Sequence, residues 1–209
     1  MPDTFCRASN AITGKILRAS IEHSLEAHGR LVEACRSALT VAAHGLIAAY
    51  RAGHKALFFG NGDSAADAQH LAAEFVGRYL RQREPMPALA LNANTSAVTA
   101  IANDFGYKQV FARQLQAVSV PGDVAVAIST SGNSRNVIEA LVCARRLGLF
   151  TIALTGGSGG RLRTLVDALI AVPSRRHSSH PGVPHPARPR TLRPVEQAVT
   201  ESKQQTSGS

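Results

Sequence analysis

Residues 124–134 read VAVAISTSGNS, and this stretch decides the fold. Val124–Ile128 is an unbroken apolar run of strand length. Such a run is buried on both faces, as strands of parallel sheets are. It ends in Ser129, Thr130, Ser131, Gly132, Asn133 and Ser134, and Asn136–Leu147 then shows helical spacing up to Gly148. A small-residue loop between the carboxyl end of a strand and a helix is where such sheets take their ligands.

The same grammar repeats outward. Ala56–Phe59 is a short apolar run that enters Gly60-Asn61-Gly62-Asp63-Ser64. A helix is expected from Ser64 to about Leu80, with Ser64 as its cap. Ala88–Leu91 reads as a strand, and Thr95–Ala102 and Val110–Ala117 as helices. Pro121-Gly122-Asp123 reads as a turn. Phe150–Leu154 is a strand followed by Thr155–Gly160. Arg161–Val166 reads as helical and Leu169–Val172 as a last strand. Upstream, residues 12 to about 52 keep one apolar face through Ile12, Ile16, Leu17, Ile21 and Leu25. Beyond Gly29 it continues from Leu31 to Ile47, which predicts two long helices. The expected class is α/β: a parallel β-sheet flanked by helices on both faces, preceded by long N-terminal helices. The expected organisation is an extension over 1–11, one domain over 12–174, an anomalous segment over 175–194 and a polar tail over 195–209.

Three loops fall at strand carboxyl ends: 60–64, 129–134 and 155–160. The second offers the hydroxyls of Ser129, Thr130, Ser131 and Ser134 ahead of a helix N-terminus, whose free N–H groups suit a phosphate. An ordinary capping loop would look the same. In the first loop, Gly60 and Gly62 permit close backbone approach, and Ser64 could reach the same anion; a plain tight turn is the alternative. Asp63 is awkward there, because a carboxylate repels an anion. His70 and Glu74 stand at i and i+4 on one helix face. That pair can share a metal ion or move a proton, or can be a solvated helical pair. Asn103-Asp104, before Phe105-Gly106, reads as a helix-ending turn.

Composition narrows the function. The chain has 209 residues, 44% hydrophobic, with a formal charge of +9. A charge of that sign suggests nucleic acid. Yet residues 175–194 alone carry Arg175, Arg176, Arg188, Arg190 and Arg193 with no acid. The same segment holds five of the ten prolines. With no Trp and 5% aromatics, a stacking surface for single strands is not supported. Nothing is long and apolar enough to span a membrane, and MPDTFCRASN lacks the build of a signal peptide. Cys6, Cys35 and Cys143 are odd in number without a CxxC spacing, so a reducing cytoplasm is expected.

GNGDSAADAQHLAAEFVGRYL, TAIANDFGYKQVFARQ, PGDVAVAISTSGNSRNV and IALTGGSGGRL together resemble the sugar isomerase (SIS) fold. Within it they resemble the bacterial phosphoheptose isomerases, over roughly residues 12–174. The resemblance implies isomerisation of sedoheptulose 7-phosphate to D-glycero-D-manno-heptose 7-phosphate through an enediol. It implies that Ser64, Ser129, Thr130, Ser131 and Ser134 hold the sugar phosphate. Asn61, Gly62, Asp63, Asn103 and Asp104 would line the substrate. It makes His70 and Glu74 two ligands of one zinc per subunit, with Glu74 also catalytic. It also implies a homotetramer with sites at subunit interfaces.

Two departures stand out. Asp63 replaces the family's usual Gly. After Val172-Pro173-Ser174 the family continues R-I-Q-E-x-H on a C-terminal helix, whose Gln and His complete the zinc site. This chain instead reads RRHSSHPGVPHPARPRTLRP. A set of codons exists for those twenty residues that, one base later, encodes D-D-T-A-R-I-Q-E-C-H-I-L-L-A-H-A-L-C-D. The segment is therefore expected to lie between two compensating frame shifts, in the gene or its sequencing. Exchanging its +5 for −3 would take the chain from +9 to +1. Taken as written, the sequence implies weak zinc binding and impaired isomerase activity. A non-catalytic SIS protein, binding a sugar phosphate or the replication initiator, is the alternative. Glu74 argues for the enzyme; Asp63 and the lost Q-E-x-H argue for the binding protein.

Overall fold

In a computed structural model the described residues are 35–78 and 82–172. The first expected long helix, residues 12–28, lies outside them, as do the segment 175–194 and the tail. Among the described residues, five strands form one all-parallel sheet: β1 (Ala56–Gly60), β2 (Ala88–Ala90), β3 (Val124–Ser129), β4 (Phe150–Gly156) and β5 (Ala168–Val172). Their spatial order is β2-β1-β3-β4-β5. The helices are α1 (35–51), α2 (Asp63–Val76), α3 (Thr95–Phe105), α4 (Val110–Val118) and α5 (Arg135–Arg146). The parallel α/β architecture is as expected from the apolar runs.

The strands are buried on both faces because alternate side chains feed two cores. Phe58, Val126, Ile128, Ile152, Leu154 and Ile170 pack under α1 and α2. Leu57, Phe59, Ala125, Ala127 and Ala153 pack under α4 and α5. Each buried Leu or Phe contributes about 1.5–3 kcal/mol.

Several boundaries differ from the sequence reading. Ser64 does not cap α2. Gly62, at φ 58, occupies the cap position with no side-chain hydrogen bond. The chain turns two residues early: Ser64 N–H donates to the Asn61 carbonyl and Ala65 N–H to that of Gly62. α3 runs on to Phe105, started by Asn94, whose side chain accepts from Ala97 N–H at 3.0 Å. Asn103-Asp104 is therefore the exposed last turn of a helix. The expected helix at Arg161–Val166 is a 3-10 turn over Gly160–Thr164.

The strand order places the site. From β1 the chain passes outward to β2, then crosses back to β3 and proceeds to β4 and β5. The loops after β1 and β3 thus diverge and leave a crevice between their carboxyl ends.

Candidate active site

The loop 129–134 closes one side of that crevice. Ser129 is the last residue of β3 and is buried; Thr130 and Ser131 are exposed. Ser129 and Ser134 hydroxyls face each other at 3.3 Å. Ser134 occupies the N-cap position of α5 yet makes no side-chain cap bond, so the hydroxyl and the first-turn N–H groups stay available to an anion. No cation is built into this set, so the donors it could offer an anion are neutral.

The neighbouring loop 155–160 braces it. Gly156 N–H donates to the Thr130 carbonyl at 3.0 Å, and Leu162 N–H to that of Gly132 at 3.2 Å. Asn133 accepts Arg161 N–H at 3.1 Å and donates to the Ser131 carbonyl at 2.9 Å. Gly132 is required here: its φ is 65°, and a Cβ would stand 2.1 Å from the Gly159 oxygen. Thr155 sits in register beside Ser129, fully buried, and its Oγ1 has no hydrogen-bond partner among the described residues.

The loop 60–64 forms the other side. Gly60 passes so close to β3 that a Cβ would lie 2.6 Å from the Ile128 oxygen. Asn92 clamps its backbone, donating to the Gly60 carbonyl at 2.8 Å. Asn61 exchanges two hydrogen bonds with Asn136, at 2.9 and 2.8 Å, and accepts a third from the Tyr107 hydroxyl at 3.0 Å. Gly62 and Asp63 are exposed, and Ser64 is buried in the first turn of α2. In that turn the Asp63 carboxylate is favoured by the helix dipole, which accounts for its tolerance.

His70 and Glu74 share one face of α2, with Nε2 3.8 Å from Oε1. His70 is 56% and Glu74 22% exposed, so both are reachable. They supply the donor types a zinc ion takes, but no group of three His, Cys, Asp or Glu forms around them among the described residues. Two ligands do not make a closed zinc site. Asn103 and Asp104 hydrogen-bond each other at 2.9 Å on the exposed end of α3.

The crevice thus gathers Asn61 and the hydroxyl loop. Asn92, Tyr107, Asn136 and Thr155 belong to the same neighbourhood and were not singled out from the sequence. Asn136, three residues past Asn133 in the same SGNSRN run, carried the nearest thing to a signal.

The SIS domain family matches residues 21–156. The phosphoheptose isomerase of Rhodospirillum rubrum is 53% identical over 140 residues, covering 67% of this chain and 74% of that protein. That of Roseiflexus sp. is 48% identical over 154 residues, covering 74% and 78%. The solved phosphoheptose isomerase of Neisseria gonorrhoeae superposes with a TM-score of 0.77 at 34% identity, covering 92% of this chain and 99% of that one. Parallel topology, the crevice between β1 and β3 and these likenesses converge: the chain belongs to the phosphoheptose isomerase family of SIS-domain proteins and is a sugar-phosphate isomerase.

Proposed function

We propose that this chain converts sedoheptulose 7-phosphate to D-glycero-D-manno-heptose 7-phosphate through an enediol. The observation that carries this reading is the braced hydroxyl loop at the β1–β3 crevice, with a free helix N-terminus behind it. Ser64, Ser129, Thr130, Ser131 and Ser134 hold the phosphate. Asn61, Gly62, Asp63, Asn103 and Asp104 line the sugar chain. Glu74 takes the proton from one carbon and returns it to its neighbour, a role its partial burial and accessible carboxylate suit.

Zinc, when bound, would supply electrophilic polarisation of the sugar carbonyl. His70 and Glu74 would hold it, and weakly, since no Q-E-x-H follows Val172 in the sequence. In a homotetramer, α3 is a surface that another copy could cover. It buries no residue and leaves Phe105 47% exposed, with Val98, Ile101 and Ala102 only partly covered. The free, buried Cys35 and Cys143 support a reducing, cytoplasmic compartment. No helix among the described residues is long and apolar enough to cross a membrane.

The test combines turnover of sedoheptulose 7-phosphate, followed by NMR, with metal analysis of the purified chain. Slow turnover, substoichiometric zinc and a further loss of about 100-fold or more in Glu74→Gln are expected. Full activity with stoichiometric zinc would overturn the incomplete-site reading. Phosphate binding without any turnover would favour the non-catalytic SIS reading. Sequencing the coding DNA over codons 170–200 decides the frame-shift proposal: codons that hide no R-I-Q-E-x-H would end it.

A further inference from the structure

Asn61 stands where β1 opens into the crevice, and its side-chain amide is more constrained than substrate lining requires. Asn136, 3% exposed in the first turn of α5, donates to Asn61 Oδ1 at 2.8 Å and accepts from Asn61 Nδ2 at 2.9 Å. Tyr107, in the 3-10 turn after α3, donates its hydroxyl to the same Oδ1 at 3.0 Å. An amide oxygen has two acceptor sites and its nitrogen two hydrogens. Asn61 Oδ1 is therefore saturated, while Nδ2 keeps one hydrogen uncommitted.

We propose that Asn61 acts as a one-way hydrogen-bond donor to a substrate oxygen, and that Tyr107 and Asn136 are positioning residues that fix its amide in that sense. Three segments meet at this knot: the 60–64 loop, the turn after α3 and the first turn of α5. Two donors on Oδ1 also polarise the amide and strengthen the remaining N–H. A donor fixed before the reaction is worth most where oxygen gains negative charge, as an enediolate oxygen does. The inference rests on the isomerase reading for its substrate, and on the hydrogen-bond geometry for its direction.

Tyr107→Phe is the informative variant. The residue is 55% exposed, and Asn61 keeps both bonds to Asn136, so the melting temperature should hold within about 2 °C. Two probes are titrated by calorimetry: inorganic phosphate, and an open-chain aldonate phosphate whose carboxylate imitates the charged enediolate. Tyr107→Phe should leave phosphate affinity unchanged and weaken the aldonate phosphate about 3- to 10-fold. In turnover, kcat should fall by a similar factor with KM within twofold. Asn61→Asp, which removes the donor, should lose at least as much. Adding Tyr107→Phe to it should cost nothing further, since Tyr107 acts through Asn61. Equal weakening of both probes, unchanged aldonate phosphate binding, or additive effects in the double variant would each overturn the proposal. A wild-type chain that binds neither probe would overturn the sugar-phosphate reading itself.

Discussion

The two ends of the sheet treat polar groups in opposite ways. At the amino ends, carboxylates are committed to neighbouring strands and turns. Asp123, fully buried before β3, accepts Lys55 N–H at 3.0 Å, Val120 N–H at 2.8 Å and the Lys55 ammonium at 2.6 Å, with His54 Nδ1 at 3.6 Å. Asp167, exposed just before β5, ties down β4 through one oxygen: its Oδ2 accepts Thr151 N–H at 2.8 Å and the Thr151 hydroxyl at 2.7 Å. At the carboxyl ends, hydroxyls are left underused: Ser129 and Ser134 share one long contact at 3.3 Å. Committed polar groups hold strands in place, whereas underused ones are ready for a ligand. The difference separates what keeps this fold together from what it is for.

That division is open to attack from both ends. The largest effect should come from Asp123→Ala, which strands Lys55 and the N–H groups of Lys55 and Val120. A loss of about 3 kcal/mol is expected in urea unfolding, with phosphate affinity unchanged. Weaker phosphate binding in that variant would break the division. Acid titration sharpens the same point. Burial alone would push the Asp123 carboxyl up. The Lys55 ammonium and the Val120 and Lys55 N–H groups outweigh it and hold it below the usual carboxylate value. A depressed folded value means that this stabilisation is complete above the unfolded value near ~3.9 and disappears as pH falls through the lower folded one. Asp123→Asn should remove that part of the acid dependence of stability.

Gly132→Ala should come next and cost both properties. A side chain at φ 65°, meeting the Gly159 oxygen, should destabilise by about 1–3 kcal/mol and weaken phosphate binding at least tenfold. Unchanged binding would mean that the brace from loop 155–160 does not shape the anion site. Ser134→Ala should be smaller and one-sided. It should weaken phosphate affinity about 3- to 10-fold, roughly one hydrogen bond, with unfolding nearly unchanged. The smallest effect belongs to Thr155→Val, where a methyl replaces a buried hydroxyl that has no partner among the described residues. Stability should be equal or higher by up to about 1 kcal/mol and phosphate binding the same. A weakened affinity would move Thr155 from the supporting layer into the ligand set.

Much of the fold was legible because it depends on local chemistry. Apolar runs at Ala56–Phe59, Val124–Ile128 and Phe150–Leu154 can only be central strands, and the small-residue loops after them mark the binding end. Ser64 does not serve as the cap because Gly62, two residues earlier, turns the chain by backbone geometry alone. α3 outruns its expected end because its apolar residues stop at Ala102, while the helix continues through the exposed Asn103-Asp104 turn until Gly106, at φ 80°, ends it. The knot of Asn61, Tyr107 and Asn136 had no sequence signature, since its partners are 46 and 75 residues apart.

The sequence by itself determined the sheet, the identity of the hydroxyl loop and the pairing of His70 with Glu74. All three follow from spacing along one chain segment. Only the tertiary structure decided which loops meet, because strand order opens the crevice between β1 and β3 rather than elsewhere. It alone decided which polar atoms are already satisfied, and hence which remain for a substrate. Hydrogen bonds are short-ranged and directional, so their partners become definite only when distant segments are held at fixed positions.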